Sequence, residues 1–255
     1  MMADLKSVAE VAARQRPEKE ILPFEWKGSR YWLKRARKTG SNPLHHAAWK
    51  IFRLPLLVPV RSQTPKEALL HESGKLRRLR EAGLSVPDVA LVTEEFFVME
   101  DNGPTAHHLL RHELDEDPEK FVLKLFEALG ELHHLGEYHG GPLVRNLTYH
   151  DDRVGFIDLE ESFAEDVPLR SLHLRDLFLL LFSLSKDRHP FDLDEAIPHY
   201  MRASGNDWAA FELKNFAQKL RVLEKIASFP PLWKILDKDS KAVHRLLQKL
   251  QRLQE

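Results

Sequence analysis

The sequence predicts an α+β protein, with an antiparallel sheet in its first hundred residues and a mainly helical remainder. Three observations carry this. Two pairs of β-prone runs flank turn signals: Ile21–Trp26 and Arg30–Arg35 about Lys27-Gly28-Ser29, and Val89–Val92 and Phe96–Met99 about Thr93-Glu94-Glu95. Between them, Thr64 to Ala82 places leucines at helical spacing. Helical apolar patterns then cover Asp117–His134, Leu172–Leu184 and the stretch beyond Phe191.

Composition narrows the function classes. The 255 residues suffice for one large domain or two smaller parts with a sizeable core. Hydrophobic residues make up 43% and charged residues 30%, as in ordinary globular chains. Lys and Arg number 38 against 39 Asp and Glu, so no global field selects nucleic acid or an anionic membrane. There is no cysteine, which removes disulfides, thiolate nucleophiles and Cys-based zinc sites. No apolar run resembles a signal peptide or spans a bilayer. The expected location is the cytoplasm.

The elements follow in order. Residues 4–15 read as a short amphipathic helix with Leu5, Val8, Val11 and Ala12 on one face, ended by Pro17. The first hairpin comes next, then a basic cluster from Lys34 to Lys38 and the loop Thr39–Pro43. Ala47–Val60 is apolar, with Trp49, Phe52, Leu56 and Leu57. Its aromatic and basic residues fit peripheral contact with the inner face of a membrane; Pro55 and Pro59 break any long helix there and favour internal packing. Thr64-Pro65-Lys66-Glu67 is a helix start with a capping-box pattern, and Gly83 closes that helix. Leu69, Glu72, Leu76 and Leu79 share a stripe, so Glu72 needs a partner among the leucines. Leu109–Leu114 and Asp117–His134 read as helices, the second with Phe121, Leu125, Leu129 and Leu132 on one face. Leu172–Leu184 is apolar around Asp176, a carboxylate that must be satisfied. Beyond Phe191, helical patterns carry Trp208, Phe211, Phe216 and Trp233, and a basic amphipathic helix covers Lys241–Arg252. That regular Leu and Val spacing reads as core packing.

The most informative stretch is Tyr138–Ser162. It holds His139-Gly140, then Asn146, then Asp158 twelve positions later. The residues between read as a hairpin: Leu147-Thr148-Tyr149, a polar turn at His150–Arg153, and the apolar run Val154–Ile157. A hairpin brings its ends together, so the Asn146 amide oxygen and the Asp158 carboxylate can face one ion. Hard oxygen ligands suit Mg²⁺, which fills its other positions with phosphate and water.

The run Leu132-His133-His134-Leu135-Gly136-Glu137-Tyr138-His139-Gly140-Gly141-Pro142-Leu143-Val144-Arg145-Asn146, followed by Ile157-Asp158-Leu159-Glu160, resembles the catalytic and metal-binding loops of the protein-kinase-like superfamily. In small bacterial branches the pattern is L-H-x-x-G-x-x-H-G-D-L-x-x-x-N, a hairpin, then I-D-F-x. Leu79-Arg80-Glu81-Ala82-Gly83-Leu84-Ser85-Val86-Pro87 likewise resembles their L-x-x-A-G-x-x-V-P. The nearest branches look like the bacterial lipopolysaccharide (Kdo/heptose) kinases and the KEOPS-kinase-like proteins. The resemblance spans residues 20 to 185.

It implies a bilobal fold, with an N-lobe over residues 1–100 and a helical C-lobe over residues 101–255, and ATP·Mg²⁺ between them. Lys34 would reach the α and β phosphates and pair with Glu72. Met99 would be the gatekeeper, with Glu100 and Asp101 as hinge residues whose backbone meets adenine. Asn146 and Asp158 would hold metal, with Glu160 as a further metal or substrate carboxylate, as in kinases resembling the aminoglycoside phosphotransferases. Asp176 would hold the catalytic-loop backbone. Two departures stand out. The position of the catalytic Asp, which accepts the substrate hydroxyl proton, is Gly141. No G-x-G-x-x-G precedes the Lys34 strand.

Two functions follow. One is an ATP-dependent phosphotransferase acting on a lipopolysaccharide sugar, a protein Ser/Thr or a small molecule, with His139, Glu160 or the substrate replacing the missing Asp. The other is a pseudokinase that binds nucleotide and serves as a scaffold or regulator. Other chemistries lack their motifs: there is no G-x-S-x-G, no H-E-x-x-H, and the adjacent pairs His45-His46, His107-His108 and His133-His134 do not share helix faces.

Overall fold

The structure is a computed structural model that describes residues 4–40, 46, 49–50, 53–114, 116–225 and 240–251. Ser41–Pro43, His45, Ala47, Phe52, Trp233 and Arg252, named above, lie outside the described residues. The protein is α+β, with a small antiparallel sheet and several helices. The backbone divides into two compact units. One comprises Met1–Ser41, Val60–Pro104 and Thr148–Ser162; the other comprises Asn42–Pro59, Thr105–Leu147 and Phe163–Glu255.

The first unit is built on strands β1 (Ile21–Trp26), β2 (Ser29–Arg35), β3 (Val89–Val92) and β4 (Phe96–Glu100), ordered β1-β2-β4-β3 and antiparallel throughout. Lys27 and Gly28 form the β1–β2 turn, both with positive φ, the geometry a two-residue hairpin needs to match strand twist. The register pairs Leu33 with Val98 and Lys34 with Phe97. Strand alternation then sends Leu33 and Lys34 to opposite faces.

Helix α1 (Leu5–Gln15) covers the Leu33 face. Ala9 and Ala13 pack with Leu22, Tyr31, Leu33, Phe96 and Val98, and Leu5 and Ala12 extend the contact. The buried stripe is therefore Leu5, Ala9, Ala12 and Ala13, while Val11 points outward and is 53% exposed. At 100° per residue, Val11 lies about 200° from Ala9; the alanines are chosen because their small side chains let the helix approach the sheet.

Helix α2 (Pro65–Glu81) begins with a reciprocal cap. Thr64 Oγ1 accepts the Glu67 N–H at 3.3 Å, and Glu67 Oε2 accepts the Thr64 N–H at 2.8 Å. It ends at Gly83, whose φ of +88° lets Leu84 N–H return to Leu79 O at 3.0 Å. Its buried side carries Leu69, Glu72, Leu76 and Leu79. The hairpin of β5 (Leu147–His150) and β6 (Arg153–Phe156) turns at Asp151-Asp152, both with positive φ. Gly155 allows close packing there: a Cβ would lie 2.8 Å from Ser85 Oγ and Thr148 Oγ1, and nearer still to Asn102 Nδ2.

The second unit is helical. Its main helices are α4 (Pro118–His134), α5 (Leu169–Asp187), α6 (Leu193–Ser204), α7 (Ala209–Lys225) and α8 (Ser240–Leu250), preceded by a short α3 (Ala106–His108). The segment Leu109–Glu113 is a π-helical turn where the sequence reads as α-helix. Helices α4 and α6 approach closely at Gly130, where a Cβ would lie 2.9 Å from Tyr200 O. Phe121, Leu125, Leu129 and Leu132 are buried along α4. Ala242, Val243, Leu246, Leu247 and Leu250 bury the apolar face of α8. Leu54, Leu56, Leu57 and Val58 of the apolar run are buried too. Among the described residues no helix is long and apolar enough to cross a membrane.

Candidate active site around Lys34

Lys34 is 5% exposed and projects from β2 on the face that α2 covers. Burial of an ammonium demands partners. Its Nζ donates to Glu72 Oε1 at 2.7 Å and to Asp158 Oδ1 at 2.6 Å, and lies 3.4 Å from Glu160 Oε2. Strand, helix and the segment after β6 thus converge on one nitrogen, all within the first unit. Asp158 has φ of +64°, a left-handed conformation that Asp tolerates better than most residues. Such strain concentrates at functional sites.

Three carboxylates face one lysine. They hold Lys34 firmly protonated against the opposing effect of its burial. Glu72 is 3% exposed; burial first, then Asp158 and Glu160, push its carboxyl up to about 7 against the pull of Lys34. Arg37 supplies a second cation: its Nε donates to Glu160 Oε2 at 3.0 Å, its Nη2 pairs with Glu160 Oε1, and its Nη1 reaches Glu20 Oε2 at 3.2 Å. The cluster opens at Asp158, whose side chain is 36% exposed, against 4% for Glu72 and 15% for Glu160. An excess of hard oxygen donors at the open end fits a divalent cation of the Mg²⁺ kind.

The hinge candidates lie in the same unit. Met99 is buried on β4. Glu100 N–H donates to Asp88 O at 2.9 Å and Asp101 N–H to Arg30 O at 3.1 Å. Asp101 Oδ1 also accepts Trp32 Nε1 at 2.5 Å. Both backbone donors are thus engaged within the protein.

The second unit holds His139, Gly141, Asn146 and Asp176. Asp176 is fully buried on α5 and accepts His139 N–H at 2.6 Å and Gly140 N–H at 2.9 Å. Burial would raise its carboxyl, but His133, His139 and Arg175 hold it below the ordinary value. Gly140 has φ of +100°, which an L side chain rarely adopts. The His139 ring is fully buried, and its Nδ1 accepts Gly141 N–H at 3.2 Å, so it braces the turn. Asn146 Nδ2 donates to Gly141 O at 2.9 Å. Behind Asp176, His133 stacks on His173 at 3.9 Å, Tyr200 OH meets His133 Nδ1 at 2.7 Å, and Asn206 Nδ2 reaches Tyr200 OH at 2.9 Å.

No protein-family model matches the chain. An uncharacterized protein of Haemophilus influenzae is 27% identical over 183 residues, which is 71% of this chain and 68% of that protein. The likeness is to a sequence whose name carries no activity, so function rests on the site itself.

Arg37 is the site residue that motif reasoning leaves out. It lies in the basic cluster after β2, where every cation looks alike in sequence; its partner Glu160 is 123 positions away. Its signal is spacing alone, three residues beyond Lys34.

Proposed function

We propose that the chain is a bilobal, protein-kinase-like nucleotide-binding protein acting as an ATP·Mg²⁺-dependent phosphotransferase. The observation that carries this reading is the buried strand lysine, Lys34, held between a helical Glu72 and Asp158. Lys34 would neutralise nucleotide phosphate, and Glu72 would keep its ammonium in place. Asp158 and Glu160 would hold Mg²⁺, which supplies charge neutralisation at the phosphates. Phosphoryl transfer depends chiefly on positioning and electrostatics, so Gly141 in place of the usual Asp removes an acid–base contribution of about 10²–10⁴-fold and not the whole reaction. Acceptors that fit the proposal are a lipopolysaccharide sugar, a protein Ser/Thr or a small molecule. Because Glu100 and Asp101 N–H are engaged, adenine would meet carbonyl oxygens or other donors on this stretch.

A second reading has its own support. Gly141 offers only backbone at the position of the proton acceptor, which fits a pseudokinase that binds nucleotide as a scaffold or regulator.

Thermal unfolding with ATP and Mg²⁺, for wild type and Asp158→Ala, tests both readings. Ligand at a hundredfold excess over Kd stabilises by about 2.7 kcal/mol, a rise of about 5–10 °C for a chain of this size. A metal-dependent shift lost in Asp158→Ala is expected. Phosphate release that also depends on Asp158 marks the enzyme; binding without release marks the scaffold. No shift in either protein refutes nucleotide binding.

A further inference from the structure

His189 lies two residues past the end of α5 and is 8% exposed. Arg188, in the left-handed conformation with φ of 59°, turns the chain back so that His189 N–H donates to Leu184 O at 3.0 Å. The His189 ring is thereby carried against the helix end, where its Nε2 is buried without a hydrogen-bond partner. A buried imidazole nitrogen left unsatisfied calls for an explanation. Two further ligand-type side chains stand beside it: His107 of α3 and Asp187, the last residue of α5. His107 Nδ1 lies 3.1 Å from Asp187 Oδ2, and one donor atom from each of the three residues falls within 4.8 Å of the others. The two rings stand nearly perpendicular, at 80°, with centroids 6.4 Å apart.

We propose that His107, Asp187 and His189 bind one divalent transition-metal ion of the zinc class. Two imidazoles and a carboxylate form a borderline donor set that suits Zn²⁺, Co²⁺ or Ni²⁺ and disfavours Mg²⁺ and Ca²⁺, which take oxygen. Metal–donor bonds of about 2.0–2.1 Å at tetrahedral angles set donors about 3.3 Å apart. The His107–Asp187 spacing is already of that size. His189 closes on the pair by a side-chain adjustment from within 4.8 Å, and water takes the fourth position. Arg111 lies close enough for its charge to weaken the binding of a second positive charge. His107 and Asp187 are only partly buried, with side chains 34% and 18% exposed, which leaves an ion a way in. The ligands come from positions 80 residues apart, so the ion would tie the start of α3 to the end of α5 within the second unit. The site is separate from Lys34 and does not rest on the nucleotide reading.

The test uses the full chain, freed of metal with a chelator and titrated with ZnCl₂ by calorimetry. Co²⁺ absorption reports the coordination geometry. Wild type should take up one equivalent and give a tetrahedral Co²⁺ band. His189→Gln and Asp187→Asn should each weaken binding at least about tenfold and lose the band. His112→Gln should change neither; it removes the neighbouring His108–His112 ring pair, whose centroids are 5.3 Å apart. Asp187→Asn is nearly isosteric and decides the matter should His189→Gln fail to fold. Undiminished binding in Asp187→Asn, loss of binding in His112→Gln, or no stoichiometric uptake by wild type overturns the proposal.

Discussion

Replacing Glu72 by glutamine should make the protein more stable at alkaline pH. Glu72 is pushed from 4.5 to about 7, by burial first and then by Asp158 and Glu160. In the unfolded chain it ionises near its ordinary value. Between these values the folded state holds a proton that the unfolded state has released, so stability is present below about pH 4.5 and falls as pH rises through about 7. One pK unit is about 1.4 kcal/mol, so the whole loss is about 3 kcal/mol. Glutamine cannot ionise, yet keeps an oxygen to accept Lys34 Nζ. Lys34 itself remains charged, because Asp158 at 2.6 Å and Glu160 at 3.4 Å still face it. Urea unfolding followed by circular dichroism should give Glu72→Gln an advantage of about 1 kcal/mol at pH ~5 and about 3 kcal/mol at pH ~8. The growth of that gap with pH isolates Glu72 from other titrating groups. A variant that is less stable than wild type by a constant amount across this range would refute the reasoning. It would mean that Glu72 is fully ionised and that its bond to Lys34 is a net gain.

Two further outcomes follow from the packing and from the histidine network. Gly155→Ala should destabilise by about 1–3 kcal/mol, because its Cβ would meet Ser85, Thr148 and Asn102; an unchanged urea midpoint would show that this hairpin yields. His173 is pushed down from 6.5 to about 4, by burial first and then by His133. The unfolded chain takes up that proton first, so stability is lost as pH falls from about 6.5 to about 4, by up to about 3 kcal/mol. His173→Gln should flatten this acid limb, and an identical limb in the variant would rule His173 out as its source.

Much of the local architecture was legible in the sequence. Lys27-Gly28 and Asp151-Asp152 mark their turns because few residues accept positive φ. Thr64 with Glu67 marks a helix start because those two side chains satisfy each other's backbone donors. Glu72 among leucines and Asp176 inside an apolar helix announce buried carboxylates, since helical periodicity assigns each position to a face. These are short-range rules, read within one or two turns.

What lies on those buried faces was decided by tertiary structure. The hydrophobic pattern of α1 allowed Val11 on the inner face; packing on the sheet selected Ala9 and Ala13, because only small side chains permit that approach. The basic run after β2 did not distinguish Arg37 from its neighbours until Glu160 was brought to it from 123 positions away. The resemblance gave Glu100 and Asp101 as hinge residues, and only the tertiary structure showed their N–H groups engaged. His107, Asp187 and His189 have no shared motif, because their meeting depends on where α3 and the end of α5 come to rest. Sequence by itself determined most helices, strands and turns and such buried stripes as that of Leu69, Glu72, Leu76 and Leu79, since backbone sterics and periodicity act locally. Only the tertiary structure decided which side chains meet, since contacts between residues distant in sequence depend on strand register and helix packing that no local pattern records.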